Sequence, residues 1–306
     1  MDLTLLVNLV LNGLQFGLML FLLAAGLTLV FGIMDFINLA HGSLYMLGAY
    51  FAASFALLTG SFWLGLLLSV GATMVVGIIL EILVFRRLYQ RNHMSQVLAT
   101  FALILIFNEG ARIVWGEQPL RLSTPELISQ PVQLWQGFDY SSFRLFIIAV
   151  GLVIALLMYL VVTKTRIGML VRAGASNREM ATAMGANIKL IFTLVFGVGA
   201  ALCAVAGALL GSILSVQVGM GESILILAFV VIVVGGIGSI RGALIGSILV
   251  GCVDTVSRTL LPALFRSFLP ADVASNLGPA LASILIYVLM AGVLFFKPEG
   301  LFPAQS

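Results

Sequence analysis

Charge is what this chain of 306 residues has least of: only 9% of it is Asp, Glu, Lys or Arg. A soluble domain carries about 25%. So little charge cannot cover a water-facing globule. The formal net charge of +3 is small and sits between the apolar runs, which excludes the basic face a nucleic-acid binder needs. Cysteine is scarce, and Cys203 and Cys252 both fall inside apolar sequence. They read as small buried hydrophobes, not as a disulfide or metal site. His41 and His93 lie on different segments, so no H-E-x-x-H metal motif forms. No G-x-x-x-x-G-K-[ST] loop is present to cradle nucleotide phosphates. Asp35 and Asp254 are the aspartates deep in apolar sequence, and neither has the Gly-x-Gly-Asp context of an intramembrane aspartyl protease. No Ser/His/Asp grouping is suggested. The expectation is a chain with no catalytic residue, no metal and no cofactor of its own.

What is present is apolar length. The chain is 61% hydrophobic, with mean hydropathy +1.19. The runs are continuous and close to the ~20 residues a membrane helix needs. Alternating tens, the signature of a membrane barrel, are missing. The predicted class is all-α: a polytopic transmembrane bundle forming one domain over 1–306. Spans are read at 4–31, 38–59, 62–85, 94–115, 143–163, 190–216, 242–261 and 277–296, with a short apolar run at 223–235. That makes about eight or nine membrane segments, one of them broken or re-entrant. Met1-Asp2 is acidic, and the run from Leu3 to Val30 is too long for a signal-peptide core.

Lys and Arg set the orientation. Segment 86–93 holds Arg86, Arg87 and Arg91 without an acid, and segment 164–189 holds five bases against Glu179. Both are read as cytoplasmic. Segment 116–142 has Arg121 against Glu117, Glu126 and Asp139 and is read as external. Trp115, Trp135 and Tyr140 sit where an interfacial aromatic belt would. The N-terminus is then external and the C-terminus cytoplasmic.

Two places interrupt the apolar landscape. Near the start, Asp35, Asn38, His41, Gly42 and Ser43 break a run. Later, 223–235 is followed by the Gly-rich stretch Gly235, Gly236, Gly238, Arg241, Gly242. Irregular backbone at membrane depth needs protein or a wet cavity around it. Asn38, His41, Gly42 and Ser43 are therefore candidates for a translocation path, with cross-helix packing as the alternative for His41. Gln217 and Glu222 are candidates at the outer mouth, where Glu222 suits a helix start. Glu109 is expected to pair with Arg112, three residues on. Arg241 is a topology anchor if its break reaches cytoplasm, and a membrane-depth charge needing a partner if the break is re-entrant. The pairs Gly13–Gly17 and Gly207–Gly211 and the series Gly238–Gly242–Gly246 are spaced four apart, which lets helix backbones approach within or between subunits.

The segment 164–189 is the exception to the scarcity of charge. Lys164, Arg166, Arg172, Arg178, Glu179 and Lys189 lie in it. Burying six charges in hydrocarbon would cost on the order of 15 kcal/mol at about 2.5 each, so the segment lies in water. Ser176 and Glu179 form an S-x-x-E capping box, starting a helix over 177–184 that Gly185 stops. Met180 and Met184 are expected to share a face with Ala181. A helix this short needs something to hold it: either a partner protein's socket or its own membrane face.

The run from Glu179 to Gly185 resembles the loop of ABC importer permeases that reads Glu-Ala-Ala, three residues, Gly. It departs at Met180, where Ala is usual, and lacks the downstream ending of the maltose-type branch. The stretches GLTLVFGIMDFINLAHGSLYMLGAY (26–50), TRIGMLVRAGASNREMATAMGAN (165–187), VVGGIGSIRGALIGSILVG (233–251) and FKPEGLF (296–302) are similar to branched-chain amino acid importer permeases, specifically the smaller, H-type of their two homologous subunits. The resemblance implies a pore shared with a second, homologous permease as a heterodimer, two cytoplasmic ATPase subunits that use the ATP, and an extracytoplasmic substrate-binding protein. It implies that Arg172, Ser176, Arg178, Glu179, Met180, Ala181, Met184 and Gly185 form the ATPase-coupling surface, in a multi-pass protein of the bacterial inner membrane. A proton- or sodium-coupled secondary carrier is the alternative. Such carriers usually show inverted repeats and a buried acidic relay.

Overall fold

The computed structural model describes residues 3–302 except 35, 37, 90 and 136, and of Trp135 and Arg178 it describes the backbone alone. Asp35 thus lies outside the described residues. The fold is the expected all-α bundle. Among the described residues, eight helices are long and apolar enough to cross a membrane. They are α1 (Leu3–Met34), α2 (His41–Thr59), α3 (Phe62–Leu80) continued by a π-helical turn and the short α4 (Arg86–Leu88), α5 (His93–Trp115), α6 (Ser142–Lys164), α9 (Ile188–Gly211), α11 (Ile240–Phe265) and α12 (Ala271–Phe296). Two short helices, α7 (Arg166–Ser176) and α8 (Arg178–Ala183), link α6 to α9, and α10 (Met220–Gly235) is the short apolar element.

Helix α1 is the axis of the bundle, and most of its surface is buried. Its small residues decide which neighbours come close. A Cβ at Gly13 would strike Cys252, and one at Gly17 would strike Ser247 and Ile248, so these two glycines seat α11. Gly26 faces Gly199 of α9, and Gly32 faces Gly238. Gly207 and Gly211 pack on α2 and on Val216, and Gly242 and Gly246 pack on α10. The four-residue glycine spacings are therefore used inside this subunit. In lipid, where apolar surface has no water to flee, such close backbone approach supplies the association energy.

Two landmarks fix depth. At one end, Asn12 Oδ1 accepts from Tyr140 Oη at 3.0 Å and from the Arg144 guanidinium. An antiparallel hairpin, β1 (Pro131–Trp135) with β2 (Phe138–Ser141), covers this end. The sequence reading left 116–142 without structure. At the other end lie Met34, Arg86, Lys164 and Lys189. Leu23 stands about three helical turns from Asn12 and about three from Met34, and so marks mid-depth. We call the two ends the hairpin end and the basic end.

The first predicted interruption lies at that level, and the start of α10 meets it there. α2 starts at His41, whose Nε2 lies 3.2 Å from Leu23 O and 3.1 Å from Cys203 Sγ. A Cβ at Gly42 would strike the carbonyl of Gly221, and one at Gly221 that of Gly42. α10 thus also begins near mid-depth. With 16 residues it is about 24 Å long, short of the ~30 Å hydrocarbon core. Segment 212–219 supplies the other half of the crossing as irregular chain returning from the hairpin end. Its Val216 pairs with Leu120, which follows the end of α5. The broken element expected at 223–235 is this half-helix.

Candidate functional site

The charged segment 164–189 folds as two helices. The sequence reading assigned one. α7 is capped by Thr165, whose Oγ1 accepts from Gly168 N at 3.2 Å. Gly168 sits so close to the end of α6 that a Cβ would strike the carbonyls of Val161 and Val162. Arg172 donates to the same Val162 carbonyl. Val171 and Gly174 turn inward, and Gly174 faces Ile188 and Ile33, which joins α7 to the end of α1.

The next helix, α8, begins one residue later than the capping box predicts. Its N-cap is Asn177, whose Oδ1 accepts from Met180 N at 2.9 Å. Ser176 is the last residue of α7 and exposed. Either side chain could cap, and the chain uses the second because Ser176 is already committed to α7. The stop is as expected. Gly185 has φ +88°, and the bonds Gly185 N to Thr182 O at 2.9 Å and Ala186 N to Ala181 O at 3.0 Å close a Schellman turn. The predicted face needs one correction. Met180 and Met184 are 61% and 83% exposed, whereas Ala181 is 6% exposed and turned into its own protein. Ala181 fits α8 to the bundle, and the two methionines project away from it. Glu179 is exposed beside them.

The Asn38–Ser43 group lies inside the subunit. Asn38 is 0% exposed, and His41 and Ser43 are buried. Neither amide heavy atom of Asn38, nor His41 Nδ1, nor Thr28 Oγ1, has a hydrogen-bond partner among the described residues. Below this polar knot Phe36 packs on Phe85 and Tyr89, with ring centroids 5.2 and 5.5 Å away. Gln217 and Glu222 are exposed instead. Glu222 accepts from Asn108 Nδ2 at 2.6 Å, which links the first turn of α10 to α5. Glu109 and Arg112 pair at 2.8 Å, three residues apart as expected.

The glycine break turns tightly at the basic end. Gly236 has φ +109° and lies against the carbonyl of Phe302, so a side chain there would meet both strain and backbone. Leu301 and Phe302 donate their N–H groups to Val234 O and Gly235 O, both at 2.9 Å. The FKPEGLF stretch thereby satisfies the orphan carbonyls at the end of α10. Gly235 and Gly242 abut across the turn. Arg241 is exposed, with Nη2 3.3 Å from Tyr159 Oη and its guanidinium 5.3 Å from the ring centre. Tyr159 lies in the last two turns of α6, which ends at Lys164, so Arg241 stands near the basic end as a topology anchor would.

The sequence reading missed Glu81. It is 0% exposed within the π-helical turn Glu81–Phe85. Its carboxylate accepts from Arg86 Nε at 3.3 Å, Arg86 Nη2 at 3.0 Å and Thr193 Oγ1 at 2.7 Å. A lone acid inside an apolar run is itself the signal that could have found it. Asp254, one of the two aspartates noted deep in apolar sequence, is held by Arg258 Nε at 2.7 Å on α11.

Against known proteins, residues 9–294 match the family model described as the permease component of the branched-chain amino acid transport system. The chain is similar to the high-affinity branched-chain amino acid transport system permease protein BraD of Pseudomonas aeruginosa, at 29% identity, covering 95% of this chain and 93% of that protein. Its similarity to the permease protein LivH of Escherichia coli K12 is also 29%, covering 94% of each. A probable LivH permease of Methanocaldococcus jannaschii is 30% identical, covering 92% of this chain and 88% of that one. No solved structure matches.

Proposed function

Because the chain belongs to the family of branched-chain amino acid transport permease components, we propose that it is one pore-forming subunit of an ATP-driven importer for branched-chain or other hydrophobic amino acids. The observation that carries this reading is the family match from residue 9 to 294, joined to a short helix held out from the bundle with its methionines bare. The basic end is cytoplasmic by the rule that Lys and Arg stay inside, which leaves the N-terminus and the hairpin outside and the C-terminus inside. Two ATPase subunits bind the ATP and seat α8. Met180 and Met184 enter the socket, Arg172, Arg178 and Glu179 flank it, and Gly185 ends the helix at the rim. Met suits an irregular groove because its thioether chain adapts. α7 carries displacement onward through Gly174 to Ile33 at the end of α1.

A second, homologous permease completes the pore, and an extracytoplasmic binding protein delivers substrate at the hairpin end. Gln217 and Glu222 line the path. Asn38, His41, Gly42 and Ser43 support it from behind, at the junction where α2 and α10 begin. The test is reconstitution of the tagged chain with its partner permease, ATPases and binding protein in proteoliposomes. Leucine uptake should require ATP inside the compartment that holds α8. Uptake that runs without ATP and follows an imposed proton or sodium gradient would make the chain a secondary carrier.

A further inference from the structure

Glu222 is an acid in the wrong place for a lipid-facing surface. It is exposed, yet its neighbour Gly221 touches Gly42, beside the His41 ring that reaches Leu23 at mid-depth. Helical side chains lean toward the N-terminus, so the Glu222 carboxylate points from that level toward the hairpin end. There it meets Asn108, next to Glu109 on α5 and about 10 Å along that helix short of Trp115 at its end. The carboxylate therefore lies within the hydrocarbon depth. The ion pairs found among the described residues occupy Glu81, Glu109, Glu117 and Asp254, and none reaches Glu222. Its partner is an amide N–H donor, which orients a carboxylate without neutralising it. An acid at such depth faces a protein partner or a water-filled path. Because α10 begins here, the charge is also fixed at the positive end of a helix.

We infer that Glu222, oriented by Asn108, contacts the ammonium group of the zwitterionic substrate as it passes from the outer half of the path to the inner half. This rests on the amino acid reading above. The chemistry favours a compact cation over a neutral solute. The carboxylate offers one negative charge and free lone pairs, and the neighbouring surface from Ile226 to Phe101 is apolar and exposed, as a hydrophobic side chain requires. The substrate's own carboxylate must find its donors elsewhere, because Glu222 already occupies the first turn of α10.

The test uses the complete importer. E222Q keeps the shape and the bond to Asn108 and removes the charge. It should lower the maximal leucine uptake at saturating loaded binding protein by about tenfold or more. The concentration of loaded binding protein giving half-maximal uptake and the yield of assembled complex should hold, and E222D should restore part of the rate. In parallel, E222C in the assembled complex should react with an impermeant trimethylammonium methanethiosulfonate added outside, with the wild-type complex as blank. Leucine-loaded binding protein plus a trapped ATPase should protect it. Wild-type uptake by E222Q, a fall in complex yield matching the fall in rate, or an unreactive E222C would each overturn the inference. A wild-type complex that imports no leucine would overturn the amino acid reading and the ammonium assignment with it, while a reactive E222C would still place this face in water.

Discussion

The buried Glu81 cluster makes a prediction whose signs are unequal. Glu81 is fully buried, and Arg86 keeps about a third of its side chain exposed at the basic end. Arg86→Ala removes both nitrogen donors and leaves a carboxylate with one hydroxyl partner inside the bundle. Breaking a buried pair from that side costs about 3–5 kcal/mol. Glu81→Ala removes the buried charge itself. The freed guanidinium can turn to the aqueous interface, and Thr193 keeps its bond to Lys189 O at 3.0 Å, so the loss is about 1–3 kcal/mol. Thr193→Val costs about 1 kcal/mol, because Arg86 still holds the carboxylate. Removing both charged partners should be milder than removing Arg86 alone. The assay is the thermal midpoint of the tagged, detergent-solubilised chain, read from the surviving monodisperse peak on size exclusion. At about 2 °C per kcal/mol for a chain of this size, Arg86→Ala should fall furthest and the double variant should recover several degrees. Equal effects of Arg86→Ala and Glu81→Ala would refute the argument that a stranded buried carboxylate dominates.

At the docking helix, Met184→Glu puts a charge on the C-cap residue of α8, whose side chain is 83% exposed. It should reduce co-purification of the ATPases at least about tenfold while membrane yield holds; equal loss of both would mean that α8 serves the fold instead. At the mid-depth junction, Gly42→Ala should cost about 2–3 kcal/mol of thermal stability, because its Cβ meets the Gly221 backbone. Gly71→Ala, with nothing within 4 Å of the new Cβ, should be neutral or stabilising by about 0.5–1 kcal/mol. A topology reporter fused after Ser129 should be external and one fused after Asn177 cytoplasmic; the reverse pattern would invert the orientation.

The long elements were legible because nothing competes with a continuous apolar run. The glycine break at 235–242 was legible for a related reason, since glycines clustered inside such a run have few other uses. Local chemistry was less reliable where two answers fit. Ser176 and Asn177 are both good caps, and the choice between them depends on where α7 ends, which depends in turn on Gly168 packing beneath α6. α7 itself was hidden by its charges, although Val171 and Gly174 fall on one helical face. Ala181 was assigned to the outer face by spacing alone, and spacing does not say which side of a helix meets the bundle. Glu81 needs Thr193 as well as Arg86, and a partner so distant in sequence leaves no local trace. The hairpin had a trace, Gly137 between Val132–Leu134 and Phe138–Tyr140, but it was overlooked in a segment read for charge.

The junction at mid-depth shows why glycine, and not merely a small residue, stands at 42 and 221. A helix start leaves N–H groups without intrahelical partners, and hydrocarbon offers them none. Neither α2 nor α10 has a side-chain cap. Tight turns close part of the gap: Ser43 N donates to Ala40 O at 3.1 Å, and Glu222 N to Gly219 O at 3.1 Å. What remains is shielded only because the two starts cover one another, backbone on backbone. A methyl on either residue would separate them, and the damage would fall less on the methyl's own packing than on polar backbone newly open to an apolar medium. The same contact explains the location of the polar side chains. Asn38, His41 and Ser43 cluster on the buried side of the junction and Glu222 with Asn108 on the exposed side. Polar groups in a membrane collect where the backbone is already irregular and the medium around them is protein or water, and this junction offers both sides at one level.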